Sequence, residues 1–121
     1  MVGERMLPQT MQVTFPTNQA VTEILHILGE PEHIAARALR HYLLDVCIQR
    51  LEQARQEIDH YQQQYGADYE TFNYRMGTDE AFLETMNAAH PLWEADAMEW
   101  VYRVEEEASW RNRSEIILRE L

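Results

Sequence analysis

The chain has 121 residues, 45% hydrophobic and 26% charged, the make-up of one small domain or one domain with an appendage. No apolar run approaches the length of a membrane span, and Met1–Gln12 lacks a charged region followed by an apolar core, so neither a transmembrane helix nor a signal peptide is expected. One cysteine, Cys47, leaves no disulfide framework and suits a reducing cytoplasm, where it would pack as a small hydrophobe.

The net charge is −11, there is no lysine, and the charge is unevenly placed. Residues 1–55 hold five Arg against six acids, whereas the remainder holds five Arg against fifteen acids. The two halves therefore suit different partners. Phosphates would repel the acidic half, which excludes nucleic acid there. A basic protein surface would attract it. The plainer alternative is a solvated acidic face that maintains solubility.

In chain order, Thr10-Met11-Gln12-Val13-Thr14-Phe15 alternates polar and apolar residues, which predicts a short strand over about 11–15, ended by Pro16. Thr17 or Asn18 is placed to cap a helix over 19–28, with Val21, Ile24, Leu25 and Leu28 as its apolar stripe and Gly29 as its stop. Pro31 then suits the start of a long helix over 32–65. Cys47, Leu51, Ala54, Ile58, Tyr61 and Tyr65 follow at steps of three and four, the spacing of a seam packed on another helix. Leu39, Tyr42, Leu43 and Val46 continue an apolar face upstream, and Gly66 fits the left-handed stop.

Beyond Gly66, Asp68 is expected to cap a helix over 69–76 closed by Gly77, and Thr78 another over 79–88. His90-Pro91 breaks the chain, and Pro91 suits the first position of a last helix over 91–110 or beyond. Ile116-Ile117-Leu118 and Leu121 form an apolar tip. The fold expected is mainly α, a helical hairpin in two parts. Residues 1–65 form a dimerisation module with the scaffold helix, and residues 66–121 an acidic aromatic helical region. Trp93 and Trp100, seven apart, should share a face and lock the hairpin against Tyr61 and Tyr65; such an aromatic stripe is more often core than interface.

Chemistry-bearing patterns are sparse. Glu57 and His60 form a Glu-x-x-His pair, the spacing used in di-iron bundles, but both fall off the seam and should face water. Glycine occurs four times and in no phosphate-cradling cluster, and no nucleophile–base arrangement can be assembled. No enzyme, cofactor or metal site is expected.

A lone strand needs a partner, most simply its own copy in a second subunit. The order strand, helix, turn, long helix resembles a ribbon-helix-helix module. The resemblance implies a dimer through the strand, with Thr10, Gln12 and Thr14 facing operator DNA. The sequence departs from that family in having only Arg5 near the strand to neutralise phosphate. The stretch Tyr61-x-x-x-Tyr65-Gly66-x-x-Tyr69-Glu70-x-Phe72, with Trp93-Glu94-Ala95 and Met98-Glu99-Trp100 downstream, resembles the C-terminal half of small bacterial and cyanobacterial antitoxins of type II toxin–antitoxin pairs. That resemblance covers roughly Ile48 to Ser109 and departs from the family in a longer insert between Phe72 and Trp93. It implies an acidic half that wraps a small basic toxin, with Tyr65, Tyr69, Phe72, Trp93 and Trp100 as anchors and Glu94, Asp96, Glu99, Glu105, Glu106 and Glu107 covering a cationic site. The alternatives are a helical homo-oligomeric adaptor without DNA contact, and a metal-dependent bundle enzyme through Glu57 and His60.

Overall fold

The computed structural model describes Thr14 and residues 17–121. Among these are five helices and no strand: α1 (Gln19–Leu28), α2 (Pro31–Tyr65), α3 (Tyr69–Thr78), α4 (Glu80–Ala89) and α5 (Trp93–Leu118). The mainly helical architecture is as expected. The strand over 11–15 and the dimer through it lie outside the described residues, as do Thr10 and Gln12. Thr14 is exposed and takes no regular structure. The chain divides into two compact units, residues 1–36 and 37–121.

In the first unit, Asn18 caps α1 by accepting the Val21 N–H at 2.9 Å. Gly29 ends the helix at φ 149°, with its N–H bonded to the Leu25 carbonyl. None of the residues of α1 is buried. The stripe of Val21, Ile24 and Leu28 expected to pack is exposed, and Leu25 is half-buried.

In the second unit, α2 and α5 run side by side in opposite directions, joined by the α3–α4 corner. Gly66 ends α2 at φ 73°, the left-handed conformation that glycine adopts without Cβ strain, and its N–H bonds the Gln62 carbonyl at 2.8 Å. Asp68 caps α3 by accepting the Thr71 N–H at 2.8 Å. The next boundaries differ from expectation. Gly77 does not stop α3, because the helical bond from the Asp79 N–H to the Arg75 carbonyl carries the helix over it to Thr78. Asp79, not Thr78, caps α4, its carboxylate accepting the Phe82 N–H at 3.1 Å. Pro91 sits in a turn, and α5 starts at Trp93, whose N–H bonds the His90 carbonyl at 3.0 Å. α5 then continues to Leu118, so the expected apolar tip is helical almost to its end.

The core is aromatic. Trp100 is 0% exposed and Phe72 1%, joined by buried Tyr65 and Phe82. Trp100 stacks on Tyr61 at 5.8 Å and on Tyr65 at 5.7 Å, and meets Tyr69 edge-on at 5.4 Å and Phe72 at 5.3 Å. One α5 side chain thus joins α2 and α3: its packing on Tyr61 and Tyr65 is the one expected from the spacing, whereas its packing on Tyr69 and Phe72 of α3 was not foreseen. Trp93 packs on Phe72 and donates its indole N–H to Asn87 at 2.6 Å. Further along the hairpin, Cys47, Leu51 and Ala54 of the predicted seam are buried, with Ile58 and Tyr61 half-buried. The upstream face differs: Leu44 is buried, whereas Leu39, Tyr42 and Leu43 are exposed.

Trp100→Ala removes the ring that joins three helices and is expected to lower unfolding free energy by about 3–5 kcal/mol in urea titrations. The two later glycines should respond in opposite directions. Gly66→Ala forces a left-handed alanine into otherwise open space and should destabilise by about 1 kcal/mol. Gly77→Ala, in helix with nothing near the added carbon, should stabilise by about 0.5–1 kcal/mol. Equal effects from the two would contradict the backbone assignment.

Candidate functional site

The expected partner-binding residues separate into three groups. Trp100, Phe72 and Tyr65 form the core, and Tyr69 and Trp93 pack against it. Their rings hold the hairpin together, Tyr65, Phe72 and Trp100 buried and Tyr69 and Trp93 half-buried. The second group comprises acids held by neighbouring side chains. Asp96 accepts the Tyr65 hydroxyl at 2.6 Å and the Gln64 amide at 3.3 Å. Arg103 gathers Glu99 and Glu106 at 2.8 Å each and also pairs with Glu57 across the hairpin. Glu107 takes Arg55 of α2 at 3.3 Å and Arg111 at 3.2 Å. Each pair is partly exposed and contributes little singly. Together they space carboxylates that would otherwise repel along one helix.

Only Glu94 and Glu105 remain exposed, with no ion pair among the described residues. They mark the outward face of α5. Trp93, Ala97, Trp100 and Val104 recur at steps of four, three and four and point inward. Glu94, Met98, Tyr102 and Glu105 recur at steps of four, four and three and point out. Met98 is 74% exposed and Tyr102 57%, with Leu92 exposed at the helix start. Met98 and Tyr102 were not among the expected anchors, although their offset from the tryptophan spacing places them opposite the core. Two large apolar side chains thus stand exposed between carboxylates on this face.

A second feature lies on the other side, a cleft of about 400 Å³ between α2, α3 and α5. Its walls carry Asp59, Asp68, Glu70 and Glu107 over Ile58, Tyr69 and Val104, with Arg55 tied to Glu107. The cap bond from Thr71 holds the Asp68 carboxyl below the usual aspartate range. Glu57 contacts Arg103, and His60 lies exposed edge-on to Tyr61. Among the described residues, no three His, Cys, Asp or Glu side chains converge so as to hold a metal ion. Nor is any helix among them long and apolar enough to cross a membrane.

Compared with protein-family models, curated proteins and solved structures, the chain matches none.

Burial, then the hydrogen bond to Asp96 and its charge, push the Tyr65 hydroxyl well above the ordinary tyrosine value of 10.0. Burial, followed by Asp96, Glu99 and Glu57, raises Tyr61 in the same direction. The folded state therefore keeps these protons longer than the unfolded chain. The resulting stability is fully present below the unfolded pKa of about 10 and is lost as pH rises through and beyond it. Urea midpoints should hold from neutral pH to about pH 9 and then fall. Tyr65→Phe should make that alkaline decline shallower, and an unchanged decline would show that Tyr65 does not carry it.

Proposed function

We propose that this chain is a non-catalytic protein-binding module of the antitoxin kind, which docks a small basic partner protein on the outward face of α5. The observation that carries the reading is the exposure of Met98 and Tyr102 between Glu94 and Glu105, on a helix whose opposite face is locked into the core. A helix held in this way presents its outer residues with little ordering cost on binding. The apolar pair supplies area, and the carboxylates supply attraction and orientation for cationic side chains. Residues 56–108 hold thirteen acids against two Arg, so the surrounding field favours the same class of partner. The resemblance of Tyr61–Phe72 and Trp93–Trp100 to antitoxins supports the reading. On this reading the aromatic members of that motif form the scaffold, and contact falls to Glu94 and Met98 within it and to Tyr102 and Glu105 just beyond it.

The test is affinity purification of the tagged chain expressed from its own genomic neighbourhood. A basic protein encoded beside it should co-purify in stoichiometric amount and dissociate as salt is raised. Met98→Glu with Tyr102→Ala should weaken the purified complex by at least about tenfold without loss of helicity. Glu94→Lys with Glu105→Lys should mainly slow association. Full retention of the partner by the Met98/Tyr102 variant would place the contact elsewhere, and the absence of any such partner would overturn the reading.

A further inference from the structure

The end of the hairpin away from the tryptophan cluster carries a surface of different character. Leu43, Val46 and Cys47 of α2 and Trp110, Ile116 and Ile117 of α5 line an open groove of about 370 Å³. Its walls are apolar apart from Arg113, whose guanidinium stacks 4.5 Å over the Trp110 ring. Leu39 and Tyr42 extend the apolar row one turn further along α2, and Leu118 and Leu121 extend it at the end of α5. Tyr42 is 64% exposed, Ile116 46% and Leu118 55%. The open parts of these side chains, with Leu39, Leu43 and Leu121, amount to roughly 500 Å² per copy, or roughly 1,000 Å² if two copies cover each other, which reaches the lower bound for a specific interface.

Charge identifies the occupant. With Arg55 and Arg111 drawn to Glu107, residues 37–54 and 112–121, which form this end, hold five Arg and four acids, a near balance, whereas residues 56–108 hold two Arg and thirteen acids. A second copy meeting the acidic end would be repelled. A second copy meeting this end finds both signs. Arg113 is paired with no carboxylate among the described residues, while Asp45 and Glu52 on α2 are exposed and equally unpaired there. A basic partner of the kind proposed for the outward face of α5 would gain no attraction here.

We infer that this groove is a homodimer interface, in which two hairpins pack end over end about a twofold axis and each copy's Leu39–Tyr42 turn covers the groove of the other. The contact is isologous, so one patch serves both sides and the assembly closes at two. Its helices would form a bundle by the packing that already joins α2 to α5. The acidic outer faces of α5 remain free on both copies, so the dimer would present two docking faces.

The 121-residue chain should sediment at twice its chain mass at micromolar concentrations. Tyr42→Glu with Ile116→Glu should return it to a single chain mass with unchanged far-ultraviolet circular dichroism. Should that pair disturb folding, Tyr42→Ala alone, at a largely exposed helical position, should still weaken the dimer by about tenfold or more. Met98→Glu, on the outward face of α5, should leave the dimer intact whether or not a basic partner binds there. A single chain mass for the wild type at all concentrations, a dimer insensitive to the Tyr42 and Ile116 substitutions, or a dimer lost through Met98→Glu would each overturn the inference.

Discussion

The hairpin depends on one indole. Trp100 enters from α5 and is covered by Tyr61 and Tyr65 of α2 and by Tyr69 and Phe72 of α3. These rings are the principal apolar contact closing the acidic end, where thirteen carboxylates oppose compaction. The buried indole N–H finds no hydrogen-bond acceptor among the described residues, and the ring's contacts there are aromatic packing. The ionic contacts follow from that packing. Once Trp100 fixes the register, Arg103 falls opposite Glu57 and Glu107 opposite Arg55, one and two turns further along. Electrostatics in this molecule refine a geometry that aromatic burial has already chosen.

The helices were legible in the sequence because their periods and caps are local. The seam from Cys47 to Tyr65, the Asn18 and Asp68 caps and the Gly66 stop are each specified within a few residues. The misjudged boundaries were those where two local rules competed. Thr78 and Asp79 are adjacent capping residues, and the carboxylate won. Gly77 resembles a stop, but a glycine stops a helix only if the chain needs a left-handed turn there, and a corner made by Asp79 does not. Pro91 suits a helix start, yet it lies two residues before α5, in the turn that separates α4 from α5. On the upstream part of α2, Leu43 and Leu44 are equally apolar and adjacent. Leu44 is buried and Leu43 is not, a difference that their local sequence does not carry.

The candidate site was harder to read for a related reason. A sequence motif gives residue types and spacing but does not say which face of a helix is already occupied. Trp93 and Trp100 are the most prominent residues of the acidic segment, and the structure places both inward. Met98, between them, and Tyr102, just beyond Trp100, fall on the opposite face. The acids divide in the same way. Asp96, Glu99, Glu106 and Glu107 are drawn to Tyr65, Arg103, Arg55 and Arg111, while Glu94 and Glu105 have no such neighbour. Separating them requires knowing where α2 lies, information carried by contacts some fifty residues apart such as Arg55 with Glu107.

Asp79 closes α3 with its backbone N–H and opens α4 with its carboxylate, so a single residue serves both helices. Rotation at that point would break the termination of one helix and the initiation of the other together. The α3–α4 corner is therefore a stiff elbow. Any opening of the hairpin must be taken up at the joints on either side, residues 66–68 and 90–92. The first turns on a glycine, the second on a proline, so the two differ in compliance: α5 would swing as a lever about the Gly66 joint, carrying the elbow with it.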